Sequence, residues 1–144
     1  MVWRGPHPML LLVLLATWLA LARGQPSFAV FQRQHVAPPR TDHQSERVYC
    51  NRMMQNRGMT SPVCKFTNTF IHDNINTITN VCGRGGTPAG GNLRESIAHF
   101  PLTICRLPGG SQTPPCNYNG CTSYRPIRIG CDQAGLPVHF DGII

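Results

Sequence analysis

The chain has 144 residues, a formal net charge of +7, seven cysteines and fourteen glycines, and only 13% of its residues are charged. It shows no internal repeat, no heptad, no C-x2-C pair and no lysine-bearing glycine loop, which argues against a solenoid, a coiled coil, a zinc ribbon and a nucleotide cradle. The excess of base favours polyanionic partners: nucleic acid, cell-surface glycans or bacterial surfaces.

A basic start with Arg4 and His7 leads into the apolar run Met9–Ala22, followed by Gly24. The run falls short of the ~20 residues a membrane span needs, so residues 1–24 are expected to be a secretory signal peptide with the cut after Gly24. That leaves residues 25–144 as one exported domain and predicts no membrane span. All seven cysteines lie between Cys50 and Cys131. In an exported chain they read as a disulfide framework rather than a metal site. Three bridges among seven cysteines can be drawn in 105 ways (seven choices of the odd thiol times fifteen pairings), so spacing does not select one. The exported part carries eleven Lys plus Arg against six Asp plus Glu, a net of +5, and Lys65 is its single lysine.

Along this part, Ser27 is placed to cap a first helix that aligns Phe28, Phe31 and His35 on one face. A second helix is expected near Val48–Arg57, stopped by Gly58, and a third near Asn74–Cys82. Strands are expected at Lys65–His72, Pro101–Leu107, Cys121–Ile129 and Leu136–Phe140. Gly83–Gly91 and Pro108–Pro115 read as exposed loops. Helices first and strands mostly later predict an α+β domain with an antiparallel sheet.

Three residues stand out for chemistry. His35 falls on the apolar face of its helix, beside Gln34 and Arg33; a structural core histidine fits that position as well. On a strand, His139 shares a face with Asp141, which suits a carboxylate holding one imidazole tautomer, though an incidental neighbour reads the same way. Alternation puts Lys65, Thr67 and Thr69 on one face and Phe66 and Phe70 on the other. An exposed lysine on a solvated face is the simpler reading of Lys65.

The combination is more specific than its parts. Arg33-Gln34-His35, then Cys64-Lys65 followed by Asn68-Thr69-Phe70, then Pro137-Val138-His139-Phe140-Asp141 resembles the pancreatic-type ribonuclease superfamily over essentially the whole exported domain. The segments Cys50-Asn51, Met53-Met54, Gly58-Met59-Thr60-Ser61-Pro62, Asn92-Leu93-Arg94 and Pro114-Pro115-Cys116-Asn117-Tyr118 look most like its angiogenin branch. The resemblance implies a ribonuclease A-like fold, with three short helices packed on a curved antiparallel sheet and bridges Cys50–Cys105, Cys64–Cys116 and Cys82–Cys131, leaving Cys121 as a free thiol. It further implies a secreted endoribonuclease needing no metal or cofactor and cutting RNA 3′ of pyrimidines through a 2′,3′-cyclic phosphate. His35 is then the base, His139 the acid, and Lys65 with the Phe140 amide stabilises the phosphate. Gln34 would touch that phosphate, Thr69 the base with Asn68 beside it, Arg33 and Arg106 flanking phosphates, and Asp141 would orient His139. His72 matches a structural family histidine, while His43 and His99 match nothing and read as surface residues.

Two departures separate the chain from angiogenins. Gln55-Asn56-Arg57 keeps one basic residue where that branch has an arginine cluster, and Gly83–Gly91 is nearly uncharged. Gly142 also replaces a glutamine that blocks the pyrimidine site in angiogenins, so an open base pocket is expected. The second functional reading is a secreted signalling or host-defence protein with weak ribonuclease activity. Expected partners are RNA, polyanionic glycans, bacterial surfaces or a ribonuclease-inhibitor protein, and the expected state is a monomer or a Cys121-linked dimer.

Overall fold

The computed structural model describes residues 27–144, so the expected signal peptide lies outside the described residues. Ser27 caps helix α1 (Phe28–His35) by accepting the Val30 N–H on its hydroxyl at 3.1 Å. A two-residue strand β1 (Val36–Ala37) follows directly. Helix α2 (Glu46–Asn56) begins two residues before its expected start because Ser45 caps it, its Oγ accepting from Val48 N–H. Gly58, at φ +74°, ends it with a backbone conformation that side-chain-bearing residues rarely adopt. The expected third helix divides into α3 (Ile75–Thr79), capped by Asn74, and a 3-10 turn over Asn80–Cys82.

Among the described residues, eight strands form two four-stranded sheets. The first has the order β1-β2-β5-β6, with β2 (Thr67–His72), β5 (Phe100–Arg106) and β6 (Asn119–Arg125) antiparallel and β1 added parallel to β2. The second is antiparallel, in the order β3-β4-β7-β8, from β3 (Gly86–Pro88), β4 (Leu93–Ser96), β7 (Ile127–Cys131) and β8 (Pro137–Ile143).

Three expectations are corrected here. Cys121–Ile129 is not one strand: it breaks at Pro126, which lacks the N–H a continued ladder needs, and the two halves belong to different sheets. The Gly83–Gly91 segment is not simply a loop, since β3 lies within it and pairs with β4 through a turn at Gly90 and Gly91, both at positive φ. Its glycine content has a packing cause, because a Cβ at Gly86 would collide with the Val81 carbonyl. Nor does β2 alternate: Asn68 through His72 are all buried, as expected of a strand flanked by β1 and β5. Phe66 precedes the strand and is exposed, unlike the fully buried Phe70.

The bridges are Cys50–Cys105, Cys64–Cys116 and Cys82–Cys131, the pairing the family resemblance implies. Each closes a loop of 49 to 55 residues, worth ~4 kcal/mol apiece in the chain-entropy account. Two of them sit in one core cluster with Tyr49, Met54, Phe70 and Tyr118. The third edges a second cluster of Phe31, Ile71, Ile78, Phe100, Ile127 and Ile129. Burying Phe31 in the second core stabilises the docking of α1 by roughly 1.5–3 kcal/mol. Cys121 is unbridged and exposed. It lies within β6 opposite Ile104.

Candidate active site

A cleft of about 640 Å³ opens where α1, the start of β2 and strand β8 meet. His35, Lys65 and His139 all line it, from three segments separated by long stretches of chain. Each owes its place to a different part of the fold. Phe31, one turn before His35, is in the core and turns that face of α1 inward. Lys65 is fixed through its backbone, because the Cys64–Cys116 bridge precedes it and its carbonyl accepts from the buried Tyr118 hydroxyl at 2.6 Å. His139 alternates outward from β8, and Gly130 of β7, its partner in the ladder, leaves room for the imidazole.

The His35 ring is buried between Phe31 and Phe140, with centroids 5.3 and 5.2 Å away. Its Nδ1 lies 2.9 Å from the Thr69 carbonyl. A carbonyl only accepts, so Nδ1 carries the proton and Nε2 is left as a free lone pair. Burial lowers its pKa from 6.5 to about 4, and the charges of Lys65 and His139 act in the same direction against the Thr69 hydrogen bond. At neutral pH His35 is therefore an uncharged base.

His139 is in a different environment. Its side chain is 55% exposed, and Nε2 lies 3.3 Å from Asp141 Oδ1. Asp141 is in turn held by Arg128 at 3.6 Å, and Arg128 forms a second ion pair with Glu95 at 2.7 Å. Nothing local in the sequence connects Arg128 to the site; the β7–β8 register, which sets Arg128 opposite Gly142, does so.

Lys65 donates to Asn68 Oδ1 at 2.9 Å and reaches Gln34 Oε1 at 3.4 Å. Asn68 Nδ2 donates to the Gln34 carbonyl at 2.7 Å. The lysine pKa is lowered, first by burial and then by the Arg33 charge. Thr69, Arg106, Phe140 and Asp141 complete the predicted residues along the wall. Arg33 is absent from it; its guanidinium turns instead to the Arg57 carbonyl at 3.3 Å. Gly142 lines the cleft, and a Cβ built there would meet no atom within 4 Å. Ile143 also lines the cleft, and the tail is fixed there by the ladder, where Ile127 pairs with Ile143 and Ile144 N–H bonds the Pro126 carbonyl.

His72 is outside this cleft. It is buried, with Nδ1 3.0 Å from the Pro38 carbonyl and Nε2 2.6 Å from Thr103 Oγ1, and it ties β2 to β5 and to the chain after β1. His43 and His99 are exposed. Among the described residues there is no group of three or more His, Cys, Asp or Glu arranged to hold a metal, and no helix long and apolar enough to cross a membrane.

The family model described as "Pancreatic ribonuclease" matches residues 26–141. The chain belongs to the pancreatic ribonuclease family. A ribonuclease of Chelonia mydas is 67% identical to it over 114 residues, 79% of this chain and 95% of the turtle protein. The angiogenin of Saimiri sciureus is 43% identical over 141 residues, 95% of this chain and 94% of its own length, which sets this ribonuclease near the angiogenin branch. The crystal structure of green turtle egg white ribonuclease superposes with a TM-score of 0.78 at 64% identity, covering 81% of this chain and 98% of the turtle one.

Proposed function

We propose that the chain is a secreted endoribonuclease that cleaves RNA 3′ of pyrimidines, using His35 as base, His139 as acid and Lys65 as the electrostatic group. One observation carries the reading: the His35 ring donates through Nδ1 to Thr69 and so offers an unprotonated Nε2 to the same cleft that holds His139 and Lys65. In the first step Nε2 of His35 takes the ribose 2′-hydroxyl proton while the 2′-oxygen attacks the adjacent phosphorus. The bond to the departing 5′-oxygen breaks, and His139 protonates that oxygen. Because Asp141 engages Nε2, the proton given up is the one on Nδ1, and the histidine keeps its Nε2–H. The 2′,3′-cyclic phosphate is then opened by water, with the two histidines exchanging roles.

Lys65 faces the phosphate as a compact cation whose direction Asn68 and Gln34 set, and partial burial strengthens its field. Because the nucleophile is the substrate's own 2′-hydroxyl, DNA is not cut. Thr69 and the open space over Gly142 form the base pocket. Export fits three bridges that persist in an oxidising compartment.

The test is turnover of RNA and of pyrimidine dinucleotides by the refolded domain, residues 25–144. His35→Ala, Lys65→Ala and His139→Ala should each lose ~10²–10⁴-fold in rate. Full activity in His35→Ala refutes the assignment. A signalling or host-defence role is the second reading, favoured by the angiogenin relative that spans 95% of the chain. His139→Ala separates the two readings, because bacterial killing or cell stimulation that survives this substitution is independent of RNA cleavage.

A further inference from the structure

Helix α1 carries Gln34 and His35 in its last turn, yet no disulfide anchors it, since the first cysteine of the described chain is Cys50. The last carbonyls of a helix have no intrahelical partner, so side chains from elsewhere or water must satisfy them. Here the partners come from outside the helix. Arg57 Nη1 donates to the Arg33 carbonyl at 2.7 Å and to the Val36 carbonyl at 2.8 Å, and it approaches the Gln32 carbonyl at 3.4 Å. Asn68 takes the Gln34 carbonyl between them. The guanidinium thus bridges the backbone on both sides of His35.

Arg57 is itself well fixed. It is the C-cap of α2, and its N–H bonds the Met53 and Gln55 carbonyls. Helix α2 is stapled to β5 by Cys50–Cys105. The carbonyl of Arg57 accepts from Arg33 Nη1, so the two arginines clasp each other's backbone. At Gly58 a Cβ would press on Arg33 Nη1 at 3.2 Å and push the guanidinium by a few tenths of an ångström, so the glycine lets the clasp close at this distance. A cation at the C-terminus of α1 also matches the helix dipole. Arg57 is not part of the cleft wall.

We propose that Arg57 is a positioning residue for the catalytic base: it transmits the rigidity of the disulfide-stapled α2 to the unstapled α1 and thereby holds His35 and Gln34 in register with Lys65 and His139. This rests on the ribonuclease reading above. A displacement of about 1 Å at a reacting group is enough to cost ~10²-fold, and the carbonyls Arg57 holds are two residues before His35 and one after it.

The experiment compares wild type, Arg57→Ala and Arg57→Lys in two readouts below their unfolding temperatures: kcat and KM on a pyrimidine dinucleotide, and the His35 and His72 ring resonances by NMR. Arg57→Ala should lose ~10–100-fold in kcat with KM nearly unchanged. The His35 signal should move or broaden while His72 stays in place. Arg57→Lys keeps a donor and the charge but not the planar fork, and should recover part of the rate. If Arg57→Ala does not fold, the Lys variant carries the test with the same kcat loss, smaller in size. Lowered melting temperature with wild-type kcat and an unmoved His35 signal overturns the proposal in favour of a purely structural role. If wild type does not cleave RNA, the ribonuclease reading fails by itself. The His35 signal then still decides Arg57: a shift in Arg57→Ala supports positioning, and no shift overturns it.

Discussion

Burial of His35 should make the protein lose stability in mild acid by a calculable amount. Its pKa is about 4 in the folded chain against the 6.5 of an unburied histidine. Between these values the unfolded chain binds a proton that the native state refuses, so stability falls as pH drops through the window and is fully retained above 6.5. Two and a half pH units correspond to about 3 kcal/mol, most of it lost by pH 4.5. His72 adds to the loss with the same sign, since burial lowers its pKa too. The perturbation is His35→Gln, which removes the proton site and leaves His72. Urea unfolding with the disulfides intact, at pH 7 and pH 4.5, gives the loss for each protein. Wild type should lose ~2–3 kcal/mol more than the variant. Losses that agree within ~0.5 kcal/mol would falsify the picture of a desolvated neutral base. The same depression places the acid limb of kcat/KM below pH 6.5, because His35 stays neutral down to about pH 4.

Three further outcomes follow from the geometry. Gly142→Gln should lower turnover on pyrimidine dinucleotides with little change in stability, because the added side chain enters open space in the cleft; a variant that cuts as fast as wild type ends the open-pocket argument. Native protein should show one alkylatable thiol, or a disulfide-linked dimer that Cys121→Ser abolishes, and mass spectrometry finding Cys121 bridged within the chain is the contrary result. Thr103→Val should cost ~1–3 kcal/mol by stranding the buried His72 Nε2 without its 2.6 Å partner, measurable as a fall in the urea midpoint with RNA turnover per folded molecule unchanged.

The sequence alone determined the α+β class, the positions of three helices and the residue types of the cleft. These are local properties: Ser27 and Asn74 are cap residues where they stand, Phe31 and His35 share a helical face, and His139 and Asp141 share a strand face at a spacing of two. The catalytic segments were legible only as a set, because a histidine on an apolar face reads equally as core or as base until its partner is known. Tertiary structure supplies that partner by presenting the Thr69 carbonyl to Nδ1, which fixes the tautomer, and sets the ring in the cleft with Lys65 and His139, which supports the reading as a base. It also decided everything carried by register or by contacts across the chain: the Pro126 break that assigns β6 and β7 to different sheets, the β3–β4 pairing hidden in a glycine-rich stretch, Arg128 behind Asp141, Tyr118 under Lys65, and Arg57 at the end of α1. Caps and periodicities depend on neighbours within about four residues, whereas these contacts join residues separated by thirteen to fifty-three positions or depend on which strands pair, and no local pattern encodes that.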